Sequence, residues 1–324
     1  MKRNLILLAL LWISIMPTFA QDEATATEEE AVTEEEKGPW KKGAVLGLNF
    51  AQTYLQNWQG GGQTAISGTA LANLFANYQK DRWSWESSFN AAYGLTRLGD
   101  NSVPFQKTDD RVEINSKVGR TWKQEQLSWT GSFTFRTQWD AGYDYSVNPS
   151  PLISDPFAPA YILLGLGIDY KPSEDFSLYI SPLTNKTTIV DNQRLADAGA
   201  FGVTAATFDP VTGMKLQDGE IILYEVGGFL KLAYSRELMK NVKFSTRADF
   251  FSNYLNNPLN IDINWETLIA MKINDFLSAS ITTHLIYDDD IRFEVDRNDD
   301  GVVDGSGPRT QFKEVFSLGI QYQF

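Results

Sequence analysis

Val315-Phe316-Ser317-Leu318-Gly319-Ile320-Gln321-Tyr322-Gln323-Phe324 alternates without a break. Successive side chains of a strand point to opposite sides, so Phe316, Leu318, Ile320, Tyr322 and Phe324 share an apolar face and the residues between them a mostly polar one. Working outward, the pattern returns along the chain. Val112, Ile114, Ser116 and Val118 oppose Arg111, Glu113, Asn115 and Lys117, and Leu127, Trp129, Gly131, Phe133 and Phe135 oppose Ser128, Thr130, Ser132, Thr134 and Arg136. Ile261, Ile263, Trp265, Thr267, Ile269 and Met271 oppose Asp262, Asn264, Glu266 and Lys272. A soluble sandwich also alternates, so the architecture rests on strand length and loop arrangement.

Such runs fall near 43–55, 63–79, 83–97, 108–122, 127–140, 160–171, 176–189, 220–235, 242–255, 260–273, 277–289 and 310–324, which is twelve. Most exceed the roughly 9–11 residues of a tilted membrane crossing and the soluble mode of about 5–6. The links alternate in length. Short ones fall at Gln79–Arg82, Lys123–Gln126, Lys171–Asp175, Arg236–Asn241 and Asn274–Phe276; longer ones fall at 56–62, 98–107, 141–159, 190–219, 256–259 and 290–309. Short periplasmic turns and long external loops are the habit of outer-membrane barrels, and an even strand number leaves both barrel ends on one side. Aromatics agree: Trp83, Trp85, Trp122, Trp129, Tyr322 and Phe324 would form an inner girdle, and Trp58, Trp139, Tyr254 and Tyr287 an outer one. The expected fold is all-β, a transmembrane antiparallel β-barrel of about 12 strands with periplasmic termini, occupying 40–324.

Two segments precede it. Residues 1–20 read as a signal peptide, with Lys2 and Arg3, an apolar run from Leu5 to Met16 and small-residue cleavage chemistry ending at Ala20. Residues 21–39 read as an acidic disordered tail, a solvated spacer or a docking strip for a basic partner or divalent cations. Over the whole chain of 324 residues, 28 basic and 41 acidic side chains leave a net charge of -13. That balance argues against nucleic-acid binding, which needs a basic surface. With no cysteine and a single histidine, His284, disulfide, thiolate and zinc chemistry fall away.

Three stretches carry a resemblance: Asn57-Trp58-Gln59-Gly60-Gly61-Gly62, Ser181-Pro182-Leu183-Thr184-Asn185-Lys186 and Leu195-Ala196-Asp197-Ala198-Gly199-Ala200-Phe201-Gly202. They are similar to outer-membrane proteins of Bacteroidota in the family known as domain of unknown function 3078. The resemblance spans roughly residues 38 to 324, implies an outer-membrane location and a barrel fold, and brings no activity with it. The aromatic last strand also resembles the signal read by barrel-assembly machinery, an expected partner together with outer-membrane lipid.

The polar register collects Glu86, Arg111, Glu113, Lys117, Arg136, Glu225, Lys231, Lys243, Arg247, Asp249, Asp262, Glu266 and Lys272 as lumen-lining candidates. Twelve strands lie between the eight that close around side chains and the 16 or more that leave a channel. Two functions therefore stay open. One is a porin-like conduit, passive or selective, for small solutes; the other is a non-conducting barrel serving as structural or accessory subunit of an envelope assembly, with loops or acidic tail as contact surface. The 190–219 loop, rich in Ala196, Ala198, Gly199, Ala200, Gly202, Ala205 and Ala206, either folds inward as a constriction or stays external.

Asp296, Asn298, Asp300 and Asp304 place oxygens at calcium-loop positions around Gly301, although Gly307 stands where the bidentate glutamate belongs. Calcium is the only cofactor this suggests, beside the alternative of a plain acidic loop. Enzyme readings find little support. His284 shares a register with Ser280, Thr282 and Asp288, but that register faces the lumen, wrong for attack on a bilayer lipid. Gly60-Gly61-Gly62 lacks the lysine and hydroxyl of a phosphate loop.

Overall fold

A computed structural model describes residues 38–55, 63–99, 104–122, 126–274, 276–295 and 304–323, with backbone alone for 294–295 and 321–323. The signal segment and almost all of the acidic tail lie outside the described residues. So do Trp58, Gly60-Gly61-Gly62, Phe324 and the side chain of Tyr322.

Twelve long strands make the barrel: β1 (Trp40–Thr53), β2 (Ala65–Lys80), β3 (Trp83–Leu98), β4 (Gln106–Thr121), β5 (Leu127–Thr137) and β6 (Ala160–Tyr170). The ring continues through β7 (Phe176–Ile189), β8 (Ile222–Met239), β9 (Val242–Asn253), β10 (Ile261–Lys272), β11 (Leu277–Tyr287) and β12 (Gln311–Gln323). Each pairs antiparallel with its sequence neighbours, and β1 closes the ring by pairing with β12, Leu48 opposite Ile320. Closure leaves no edge strand whose N–H and C=O groups would be bare in hydrocarbon. The alternation read from the sequence is this wall, strand for strand.

Link lengths alternate as expected. Asp81-Arg82 and Lys240-Asn241 are two-residue turns, and Asp81 and Asn241 sit at φ 54 and 68, a region that Asp and Asn tolerate better than other side chains. Trp40 and Gln323 stand at this short-turn end. The opposite end carries the long connections, which among the described residues hold three small hairpins, a short helix, α1 (Gln193–Asp197), and a 3-10 turn at Ala200–Gly202.

The outward register is apolar and bare. Leu48, Phe50, Leu166, Phe312, Phe316, Leu318 and Ile320 are each at least half exposed, which would be costly in water around a whole barrel. Trp83, Trp85, Trp122 and Trp129 are exposed toward the short-turn end, and Trp139 and Tyr254 toward the long-loop end. Tyr287 is half-buried.

The 190–219 loop is a folded cap. Asn192 caps α1 by accepting from the N–H groups of Arg194 (3.1 Å) and Leu195 (3.4 Å). Val190, Leu195, Ala196 and Val203 pack on Ala158 of the preceding long loop. Its small residues serve close packing: a Cβ on Gly219 would fall 2.3 Å from the Ala196 carbonyl oxygen, and one on Gly202 2.7 Å from Asp290 Cβ. Asp290 follows β11, three strands away from β8, so the loop reaches across part of the mouth.

Candidate functional site

The site is built from the inward register. All thirteen sequence-derived lumen positions lie on it, shown by the pairings Glu86–Lys117, Glu113–Arg136, Lys231–Asp249 and Arg247–Glu266 between neighbouring strands. Lys243 and Lys272 stand exposed at the short-turn end, away from the rest. The others meet in three layers.

The middle layer crosses the barrel. Glu113 on β4, 1% exposed, accepts from Arg136 Nη2 (2.8 Å), Arg247 Nη1 (2.9 Å) and the Asn115 amide (2.8 Å). Arg247 belongs to β9, five strands round the ring, and also meets Glu266 Oε2 at 3.4 Å. Arg111 on β4 bonds to Glu266 on β10, six strands away and therefore on the opposite wall. A circular ring of twelve tilted strands would be about 24 Å across at the backbone. An Arg and a Glu side chain in contact span only about 15 Å. The barrel is flattened along this direction, and the cross-bridge divides its interior.

Above it, toward the long loops, Lys186 Nζ sits among Asp262 (2.8 Å), Glu225 (3.2 Å) and Asp288 (3.7 Å). Below it, Lys117 meets Asp169 at 2.9 Å, and Lys171 bonds to Glu86. Asp169, Lys171, Lys186 and Lys313, the last 2.9 Å from Asp109, complete a network that the sequence list lacked. His284 Nε2 lies 2.6 Å from the Asn264 amide and 3.7 Å from Glu266, so its neighbours are network residues rather than Ser280 or Thr282. The Asn264 amide also approaches the Arg136 guanidinium at 2.9 Å.

The two sides of the bridge differ. Toward β6 to β8 the space is filled: Tyr179 is 1% exposed, its hydroxyl accepts from Ser132 Oγ at 3.0 Å, and its ring packs on Phe229 and Phe251. Toward β11, β12 and β1 to β3 many inward residues are small and uncharged, among them Gly47, Asn49, Asn73, Ser280, Thr282, Ser317 and Gly319, although Leu71 and Phe75 of β2 also face in and Glu86, His284 and Lys313 share this side. Here Asn73, mid-strand and facing in, is exposed, as is inward Leu268 at 38%. The interior is not filled on this side.

Outside the barrel wall, the Asp197 carboxyl accepts from Lys215 Nζ (2.7 Å), the Gly219 N–H (2.8 Å) and Gln193 (2.8 Å), which together hold it down at about 2. These bonds tie the cap's hairpin, Thr207–Phe208 with Lys215–Gln217, to α1. The expected calcium ligands Asp296, Asn298 and Asp300 lie outside the described residues; Asp304 is exposed beside the Gly305–Pro308 strand. Among the described residues, no group of three or more His, Asp or Glu has metal-holding geometry.

Residues 50–143 match the family described as "Protein of unknown function (DUF3078)", the family that the sequence motifs resemble. No curated protein matches the chain. Among solved structures, the translocator domain of the autotransporter NalP from Neisseria meningitidis is 9% identical, with 90% of each chain covered and a TM-score of 0.38. An outer membrane channel from Pseudomonas putida F1 is 11% identical, with 93% of this chain and 99% of that one covered and a TM-score of 0.36. The NanC porin is 7% identical over 86% of this chain and 97% of that one, with a TM-score of 0.32.

Proposed function

We propose that this chain sits in the bacterial outer membrane with its short turns in the periplasm, and that it is a narrow, selective conduit for small solutes. The exposed apolar belt between two aromatic girdles supports the membrane placement, because only lipid covers so much outward hydrocarbon at low cost. The conduit rests on one observation: Asn73 faces inward from the middle of β2 and is exposed. The path runs along the β11 to β3 side, where charged inward residues are few, with the Arg111, Glu113, Arg247 and Glu266 bridge as its other wall. A purely structural plug has no need of charges, since apolar packing of the same volume is about as stable as buried ion pairs. Arg111 and Arg136, 34% and 26% exposed, behave as hydrated wall residues.

The buried state of Glu113, bridged from both walls, favours a second reading in which the barrel is closed and acts as a scaffold or accessory subunit. Planar-bilayer recording separates the two. The conduit predicts small steady current steps, and in Asn73→Cys a bulky thiol reagent should cut them by at least half. A silent wild-type barrel, folded and inserted, defeats the conduit and leaves the scaffold.

A further inference from the structure

The outer wall at the short-turn end carries a feature that solute passage does not use. β1 to β4 place their outward residues in rows across the strands. The row nearest the turn is Lys80, Trp83 and Arg120, and the next is Trp40, Tyr78, Trp85 and Val118. One row further in stands Lys42, opposite Ala76. Between them lies a groove of about 300 Å³, lined by Tyr78, Lys80, Asp81, Trp83, Trp85 and Val118.

The groove is built rather than incidental. Trp85 donates its indole N–H to Ser116 Oγ at 2.9 Å, fixing its ring, and Trp40 packs edge-on against it at 5.8 Å between centroids. Arg120 lies over the Trp83 ring at 5.5 Å and Lys42 over the Trp40 ring at 5.5 Å. Stacking of that kind holds a cation at the wall with its remaining N–H donors free to point at a ligand. Among the described residues here, Lys80, Arg120, Lys42 and the turn residue Arg82 carry four positive charges against the carboxylate of Asp81, on a chain whose net charge is -13. The apolar floor at Trp85 and Val118 continues into the belt that faces acyl chains, while the cations stand at the depth of the interfacial tryptophans.

We propose that this groove is a binding site for an anionic phospholipid, with its phosphate between Lys80 and Arg120 and one acyl chain running over Trp85 and Val118. Strand spacing puts Lys80 and Arg120 about 10 Å apart at their Cα atoms, one on each side of Trp83, a span that long side chains close around a phosphodiester. A zwitterionic lipid offers the same chain and phosphate but brings its own cation into a basic site. The proposal rests on the membrane placement given above, and its test separates the two.

The chain is folded into phosphatidylcholine vesicles containing a minor fraction of either brominated phosphatidylcholine or brominated phosphatidylglycerol, and tryptophan quenching is compared. Each interfacial cation is worth about fivefold in binding an anionic lipid at modest salt. The wild type should therefore prefer the brominated phosphatidylglycerol at least fivefold, with the preference shrinking toward one at molar salt. Lys80→Gln with Arg120→Gln should bring it to about one while quenching by brominated phosphatidylcholine stays unchanged. Trp83→Phe should remove more of the phosphatidylglycerol-specific quenching than Trp265→Phe, on the far wall, does. Equal quenching by the two lipids in the wild type, or a preference surviving in the double variant, overturns the site. Absence of quenching by either lipid overturns the membrane placement and the site with it.

Discussion

Replacing Glu113 by Gln tests whether the cross-bridge holds the barrel's two walls together. The change keeps the shape and removes one negative charge from a side chain that is 2% exposed and shared between Arg136 and Arg247. Breaking a fully buried ion pair by removing one partner costs roughly 3–5 kcal/mol, because the other charge is stranded. Here the stranded guanidiniums are 26% and 24% exposed, Arg247 keeps Glu266 at 3.4 Å, and Arg136 keeps the Asn264 amide at 2.9 Å. Both facts pull the loss to the low end, about 3 kcal/mol, or roughly a hundredfold in the unfolding equilibrium. Arg247→Met alone should cost less, since Glu113 retains Arg136. The double variant should cost less than the sum, with a coupling of about 1–2 kcal/mol, as expected for direct neighbours. The assay is urea-driven unfolding from lipid vesicles followed by tryptophan fluorescence. A loss below about 0.5 kcal/mol for Glu113→Gln would place the pair in the range of water-screened surface bridges and refute a bridge that braces the walls.

Leu318→Arg, at an outward position half exposed, should cost about 2–4 kcal/mol in vesicles, whereas Ser317→Arg on the inward face should cost under about 1 kcal/mol; equal losses in the same unfolding assay would invalidate the register. Asp197, held at about 2 against an ordinary value near 4, contributes order to the cap that is complete above about pH 4 and is lost as the pH falls toward 2. Hydrogen exchange of the 193–219 amides should therefore accelerate, beyond its intrinsic pH trend, between pH 4 and pH 2, and Asp197→Asn should be fast and flat across that window.

The wall was legible because it is a local matter. A strand exposed to lipid on one side and to charges or small polar groups on the other writes its register directly into the chain, as in β4, β10 and β12, and each inward candidate could be named from its own neighbours. Contact across the lumen is not local. That Arg111 meets Glu266 rather than Asp262 depends on how the ring is flattened and sheared, which no single strand encodes.

Lys186 shows the other way in which a residue escapes. In β7, Ser177, Tyr179 and Ser181 face inward, but beyond Pro182 the inward positions are Thr184, Lys186 and Thr188, so the parity switches within one strand. One extra residue on β7 is opposed by a register shift on both neighbours, between Leu166 and Ile168 on β6 and between Gly227 and Phe229 on β8. Read with strict period two from its first half, the strand sends Lys186 into lipid, and the anchor of Asp262, Glu225 and Asp288 disappears from the inventory. The signal was nonetheless in the sequence. A proline inside a long strand marks a bulge, since it cannot donate to the ladder, and it needs close backbone approach on either side. Gly167 supplies that on the β6 side: a Cβ there would fall 2.0 Å from the Ile180 carbonyl oxygen. Ser181 Oγ lies 2.9 Å from the Leu166 carbonyl oxygen and 3.0 Å from that of Leu183, covering acceptors at the shift. The glycines of β6 explain why Asp169 was missed, because inward Gly165 and Gly167 erase the polar beat just ahead of it. The Ser181-Pro182-Leu183-Thr184-Asn185-Lys186 stretch is thus a parity switch that turns a lysine from the lipid face to the lumen, and it sets the charge of the layer nearest the long-loop mouth.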